Sequence, residues 1–356
     1  MKIVQVMPRF TFGGAEIMCE TLVYELCKLG HDVYVVSLYN QETVIVKRMK
    51  ERGIRVILLD KRPGPDLTLM SKLRKIFIGI QPDVIHTHLY VMEYVIPASV
   101  GLKVKRIHTL HSIASKENNK FGRILNYFFF KTRKVIPIAL SGLVQETIEN
   151  EYNLSEDNVP IIYNGISLEK CMPKSDYKIE NKIKLLHIGR FTSAKNHIEL
   201  LKAIKLLKEK HFQVVLTLVG DGELRKEIEQ FVRDNDMGEY VNLYGISDNV
   251  YPLLHASDIF LLPSIYEGIP MTLIEAMGTG LPIIASNVGG IPNMISNNVE
   301  GILITPTANE IENAIEKLMT KETLRAKYGK AAINKAKEFS SINMAKEYIK
   351  VYESSN

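Results

Sequence analysis

Short apolar runs alternate along this chain with longer stretches in which apolar residues recur every three or four positions. The run "KIVQVM" (2–7) comes first, then the amphipathic stretch "GGAEIMCETLVYELCKLG" (13–30), which stops at Gly30, then "DVYVVSL" (32–38). Runs of that length predict strands, and the 3.6-residue period predicts a helix between them. Strand, helix and strand in this order make a parallel pair joined by a right-handed crossover. The theme continues through "RVILL", "DVIHTH", "RIHTLH" and "VIPIALS". It lapses over "PIIYNGISLEKCMPKSDYKIENK" (160–182), a polar stretch with prolines and little periodicity. Then it restarts with "IKLLHIGRF", a helical pattern over "HIELLKAIKLLKEK", and the strands "VVLTLVG", "VNLYG", "IFLLPS" and "PIIAS". Two alternating runs joined near residues 165–182 predict an α/β protein of two doubly wound domains with a cleft between them.

Composition agrees with that division. A chain of 356 residues exceeds what a single core usually supports. At 46% hydrophobic and 24% charged it is an ordinary globular sequence. The opening "MKIVQVMPRF" lacks the basic start and long apolar run of a secretory signal, and no run has the length of a membrane span. Three widely spaced cysteines, Cys19, Cys27 and Cys171, suit a reducing cytoplasm rather than a disulfide or zinc framework.

Charge adds an asymmetry. Residues 1–176 hold 24 Lys and Arg against 18 Asp and Glu, whereas residues 177–356 hold 21 against 22. The excess is densest from Lys103 to Lys134, where nine basic residues face one acid, Glu117, with Phe121, Tyr127, Phe128, Phe129 and Phe130 interleaved. Such a region would suit an anionic membrane surface; equally, the aromatics could be core and the charges a solvated face. Nucleic acid is disfavoured, because no binding motif is present and the second half is slightly acidic.

Open parallel sheets bind ligands beyond the carboxyl ends of their strands, so candidate chemistry belongs in strand-to-helix loops. In "RFTFGGAE", Gly13 and Gly14 precede a helix, where exposed amides and the helix dipole favour a phosphate; a tight turn would also explain them. The loop is neither G-x-G-x-x-G nor a G-x-x-x-x-G-K-[ST] phosphate loop. In "HIGRFTSAKNH", Arg190 and Lys195 follow a strand and could neutralise a diphosphate, although surface cations are usually only solvated. In "SIYEGIPMTLIEAM" (264–277), Pro270 suits the first turn of a helix, which leaves Glu267 in the loop and Glu275 about one and a half turns in. Glutamate near a helix start is common for dipole reasons, but Glu275 is flanked by Leu273, Ile274, Ala276 and Met277. A carboxylate in apolar surroundings needs partners, and ligand hydroxyls are natural ones.

The spacing in "EGIPMTLIE", followed by "AMGTGLPIIASNVGGIP", resembles the donor-binding region of retaining GT-B glycosyltransferases of the family-four type. "FGGAE", "HTLHS", "IIYNGI" and "GRFTSAKN" stand in that family's order, so the resemblance spans nearly the whole chain. It implies two Rossmann-like domains facing across a cleft: 1–170 for the acceptor, 180–335 for the nucleotide-sugar donor, and 336–356 as a helix crossing back to the first domain. It also implies that Glu267 contacts the donor sugar's hydroxyls and Glu275 the ribose, while amides at Gly268, Ile269 and Met271 face sugar or phosphate. Arg190 and Lys195 match the cations on the diphosphate, Gly14 an amide that closes onto it, and His111 a histidine near the sugar's C6 hydroxyl and reaction centre. His108 matches no role. Two departures stand out: Asn196 where the family often has glycine, tolerable because Asn accepts left-handed backbone, and Ser167 where Asp is usual.

The expected activity is therefore retaining transfer of a hexose or N-acetylhexosamine from a nucleotide-sugar, most commonly UDP-linked, to a saccharide acceptor. A lipid-linked acceptor of surface polysaccharide assembly follows if residues 103–134 dock on a membrane. No cofactor and no metal are expected: the Asp-x-Asp match "DND" (234–236) reads as a polar helix terminus, and Arg190, Lys195 and a helix N-terminus would stabilise the departing diphosphate. The expected location is cytoplasmic, at the inner face of the membrane where the basic region docks. Rival readings are a nucleotide-sugar 2-epimerase of similar architecture and a sugar-nucleotide-binding protein without chemistry. A nicotinamide dehydrogenase lacks its glycine fingerprint.

Overall fold

The computed structural model describes residues 1–11, 13–117 and 120–354, the side chains of Lys120 and Phe121 excepted. The chain divides into one unit of Met1–Gly165 with Ser341–Asn356 and a second of Ile166–Ser340. The breaks thus fall at 165/166 and 340/341, so residues 166–170 and 336–340 join the second unit rather than flanking it. Ile166 pairs with Ser340, and the Ile166 amide donates to the Phe339 carbonyl, which zips the two crossing segments together inside that unit.

In the first unit β1 (Lys2–Met7), β2 (Asp32–Ser37), β3 (Arg55–Leu58), β4 (Val84–His88), β5 (Lys105–Leu110) and β6 (Ile136–Ala139) form a sheet in the order β3-β2-β1-β4-β5-β6. In the second, β7 (Ile183–Ile188), β8 (Val214–Val219), β9 (Val241–Gly245), β10 (Ile259–Leu262), β11 (Ile283–Ser286) and β12 (Gly301–Ile304) are ordered β12-β11-β10-β7-β8-β9. All pairings are parallel, and each sheet reverses its order between its first and fourth strands. Helices cover both faces, so the central strands β4, β10 and β11 are buried throughout; β10 and β11 are almost wholly apolar, whereas β4 buries His86, Thr87 and His88. The strand β12 lies in "GILI", which the hydrophobic pattern alone did not mark. It is four residues long, opens with glycine and follows the polar "SNNVE".

The last helix, Ser341–Glu353, packs on the helix Gly14–Lys28 of the first unit. Met344, Ala345, Tyr348 and Tyr352 enter the core with Ile3, Cys19 and Leu22, and the Ser341 hydroxyl donates to the buried Glu25 carboxylate at 2.7 Å. No described helix is long and apolar enough to cross a membrane.

Candidate active site

The strand reversals decide where the candidate residues gather. Crossovers leaving two neighbouring strands in opposite directions open a crevice at their carboxyl ends. In the second unit these strands are β7 and β10. The turn after β7 runs through Gly189 and Arg190 into a short helical turn, Ser193–Lys195, and Asn196 then starts the helix His197–Glu209 with φ 59° and ψ 40°. Asn196 therefore adopts the left-handed conformation, and its side-chain Nδ2 donates to the Pro263 and Pro306 carbonyls at 3.1 and 2.9 Å. The loop after β10 carries Ser264 and Glu267. Its Ile265 amide donates to the Ala194 carbonyl at 2.8 Å, tying it to the Ser193–Lys195 turn.

Glu267 is buried, at 7% exposure. Its Oε1 accepts from the Ser264 hydroxyl at 2.7 Å and from the Lys195 ammonium. Lys195, expected beside a diphosphate, thus stands in an ion pair with the glutamate expected beside the sugar. Arg190 is exposed, and its guanidinium has no partner among the described residues. Pro270 caps the helix Met271–Thr279 from just outside rather than occupying its first turn. Among the described residues the amides of Gly268, Ile269 and Met271 have no hydrogen-bond partner. Glu275 is half-buried and accepts from the Tyr251 hydroxyl at 3.3 Å. Burial raises its carboxyl above the usual range, opposed by that hydrogen bond.

Two glycine pairs that sequence reasoning passed over hold these loops. A Cβ on Gly289, whose φ is +54°, would lie 1.9 Å from the Glu267 carbonyl oxygen, and one on Gly290 2.2 Å from that of Gly268. The Gly290 amide donates to the Glu267 carbonyl at 3.1 Å. Likewise a Cβ on Gly220 or Gly222 would strike the Gly189 or Phe191 carbonyl, at 2.0 and 2.5 Å. Backbone meets backbone at both places, so only glycine fits without moving the loop. The available signal was the glycines' position in the loops that follow β8 and β11. "DND" ends the helix Arg225–Asp234, and Asp234 accepts from Gln230.

The first unit holds Gly13, Gly14 and His111. Gly13 caps the helix Gly14–Lys28, with the Glu16 carboxylate folded back against it, while Gly14 is exposed and open. His111 follows β5 and is half-buried. Its amide, the Ser112 amide and the Ser112 hydroxyl all donate to the Glu117 carboxylate, at 3.2, 3.0 and 2.8 Å. Glu117 thus clamps the loop of His111 and is not merely the lone acid of a basic surface. The His111 Nε2 meets His88 Nδ1 at 3.0 Å. Burial pulls His111 down to about 4 and, with the neighbouring histidines, holds His86 and His88 well below their ordinary value. His108 is wholly buried, with Nδ1 2.9 Å from the Thr87 hydroxyl.

The basic aromatic region separates into two parts. Phe130 is core, and Lys105 and Arg106 are tied to Ser354 and Ser99. Ile124, Tyr127 and Phe128 are exposed on the helix Lys120–Lys131, with Lys134 over the Phe128 ring. Phe121 belongs to the same reading, and its side chain lies outside the described residues.

Residues 172–335 match the glycosyl transferases group 1 family and residues 12–170 match Glycosyltransferase Family 4. EpsF of Bacillus subtilis, whose name assigns it provisionally to the glycosyltransferases, is 35% identical over 80% of this chain and 79% of its own. The UDP-Gal:alpha-D-GlcNAc-diphosphoundecaprenol alpha-1,3-galactosyltransferase of Escherichia coli is 28% identical over 71% of this chain and 70% of its own. Among solved structures, Anabaena HepE in complex with UDP superposes with a TM-score of 0.81 at 20% identity, covering 100% of both chains. Both halves of the sequence and the paired sheets lead to one assignment: the chain belongs to the GT-B glycosyltransferases of the family-four type.

Proposed function

We propose that this glycosyltransferase moves a hexose or N-acetylhexosamine from a UDP-sugar to a lipid-linked saccharide, with retention and without a metal ion, in the assembly of a surface polysaccharide. The observation that carries the reading is the loop and helix from Ser264 to Glu275. It offers a buried carboxylate, three amides unpartnered among the described residues and, eight residues beyond Glu267, a second half-buried carboxylate.

In this reading Glu275 accepts the ribose hydroxyls and Glu267 the hydroxyls of the sugar. Arg190 and the amides of Gly268, Ile269 and Met271 meet the diphosphate. As the bond from sugar to diphosphate breaks, negative charge grows on the leaving oxygen, and prepositioned donors stabilise it there without reorganising. A diphosphate arriving near Lys195 would compete with Glu267 for its ammonium, freeing carboxylate oxygen for sugar hydroxyls. The acceptor attacks the face that the diphosphate leaves, and the diphosphate oxygen takes its proton.

A lipid-linked acceptor is supported by the Escherichia coli relative, named for transfer to a diphosphoundecaprenol-linked sugar, and a UDP donor by HepE, solved with UDP. The exposed Ile124, Tyr127 and Phe128, with Lys131, Arg133 and Lys134 nearby, would dock peripherally on an anionic bilayer. The test is incubation with UDP-linked glucose, galactose, GlcNAc and GalNAc in turn and a GlcNAc-diphospholipid acceptor, in chelator, with product anomer read by NMR. An α-linked product from one α-donor is expected. Donor consumed without acceptor, activity lost in chelator, or a β-linked product would each overturn the corresponding part.

A further inference from the structure

A chain of buried polar side chains runs from the last helix to His111. The Gln5 amide, wholly buried in β1, donates from Nε2 to the Tyr352 hydroxyl at 3.2 Å and accepts at Oε1 from His88 Nε2 at 2.9 Å. The Tyr352 hydroxyl also meets His86 Nδ1 at 2.8 Å, and His86 Nε2 meets the Thr109 hydroxyl at 2.8 Å. His88 Nδ1 faces His111 Nε2 at 3.0 Å.

In a neutral imidazole one nitrogen donates and the other accepts, so a partner on one fixes the other. The amide oxygen of Gln5 takes only a donor. With the amide oxygen toward His88, as placed, His88 carries its proton on Nε2 and leaves Nδ1 to accept, and His111 donates from Nε2. The remaining nitrogen, His111 Nδ1, has no partner among the described residues and keeps a lone pair. Turning the Gln5 amide over would reverse these links and place a proton on that nitrogen instead. His108 is the internal contrast: the Thr87 hydroxyl donates to the Ile107 carbonyl at 3.0 Å, so it accepts from His108 Nδ1–H and gives the opposite tautomer.

We propose that Gln5, acting through His88 and bonded to Tyr352 of the C-terminal helix, sets His111 in the Nε2–H tautomer, so that His111 Nδ1 presents a lone pair as a hydrogen-bond acceptor. This rests on the reading of His111 as a residue of the transfer site. Gln5, His88 and Tyr352 are positioning residues. A wrong tautomer in an otherwise intact site is a documented way to lose turnover.

The test is two-bond nitrogen–proton NMR on protein labelled at histidine nitrogen, without donor. His111 should show Nε2–H and His108 Nδ1–H. In Gln5→Leu the buried His88 Nε2–H would lack an acceptor, which costs more than a buried lone pair, so the His88–His111 pair should reverse to Nδ1–H. The ratio kcat/KM for the donor should then fall about tenfold, the equivalent of one hydrogen bond. Gln5→Glu keeps an acceptor on His88 and should restore both the tautomer and most of the lost kcat/KM. Unchanged His187 and His197 signals verify that the second unit is intact, and a Tyr352→Phe protein gives a second route if Gln5→Leu does not fold. There, an unanchored amide should give both His111 tautomers. Nδ1–H at His111 in the unaltered protein, or a tautomer indifferent to Gln5 and Tyr352, would overturn the proposal. Absence of any transfer while the tautomer follows Gln5 would instead strike the reading of the function.

Discussion

The two units share a strand order yet treat polarity at the reversal point in opposite ways. In the first, the ends of β1, β4 and β5 bury Gln5, His86, His88 and Thr109 in a neutral network. In the second, the ends of β7 and β10 carry Arg190, Lys195 and Glu267, with the glutamate buried against the lysine. Burying a charge is costly unless it is paired and hydrogen-bonded, which Lys195 and Ser264 do for Glu267. Histidines avoid that cost by staying neutral. The difference is between a neutral polar network in one unit and a paired, buried charge in the other.

The comparison breaks most readily at Glu267. Glu267→Gln removes the charge that compensates Lys195 and, in the proposed function, one acceptor for the sugar. Transfer should fall by about a hundredfold or more, on the scale of losing one prepositioned electrostatic group. His111→Gln, on the neutral side, should cost only about tenfold, the value of a single hydrogen bond. Steady-state rates on the same donor measure both, and equal losses would dissolve the distinction between a charged and a neutral half.

Acidification sharpens the comparison by stability rather than rate. His111 is held down to about 4 and His108 to about 3, with His86 and His88 also well below 6.5, all chiefly by burial. Between pH 6.5 and about 4 the unfolded chain takes up protons at these sites while the folded unit does not, so stability is lost as pH falls. The second unit has fewer such groups, His187 at about 3 and His197 at about 4. Glu275 in this unit and Glu117 in the first, both raised by burial, work in the opposite sense, because the fold takes up those protons more readily than the unfolded chain, so the histidines make the difference between the units. Calorimetry at pH 7.5 and pH 5, with UDP marking the second unit's transition, should show the first unit's transition dropping further. A larger drop in the UDP-sensitive transition would reverse the assignment.

Much of this was legible in the sequence for one physical reason. A strand covered on both faces is mostly apolar, and eleven of the twelve strands were marked by short apolar runs, although β4 and β5 carry buried histidines and threonines among them. Glu267 and Glu275 stood out because carboxylates interrupt an apolar stretch. What could not be read was pairing at a distance. Lys195 and Glu267 lie 72 positions apart and meet only because β7 and β10 are neighbours, in register at Leu185 with Ile259. Gln5 lies unremarked inside the apolar run "KIVQVM", because its partners Tyr352 and His88 come from distant parts of the chain. The charge run from Lys103 to Lys134 was misleading in part, since composition does not tell that Phe130 turns inward and Tyr127 outward.

The smallest expected effect lies at Tyr251, where the charged unit borrows a neutral device. Its hydroxyl donates to Glu275 Oε1 at 3.3 Å, a long bond on a carboxyl that burial already raises. If the hydroxyl orients Glu275 toward ribose, Tyr251→Phe should weaken UDP binding by about threefold, less than a well-formed hydrogen bond would cost. Titration calorimetry with UDP resolves a change of that size. Tighter binding would mean that Tyr251 and the ribose compete for the same carboxylate. Glu275 would then resemble Glu267, a carboxylate held by a protein partner that the ligand must displace, and both ends of the "EGIPMTLIE" segment would operate by exchange of partners.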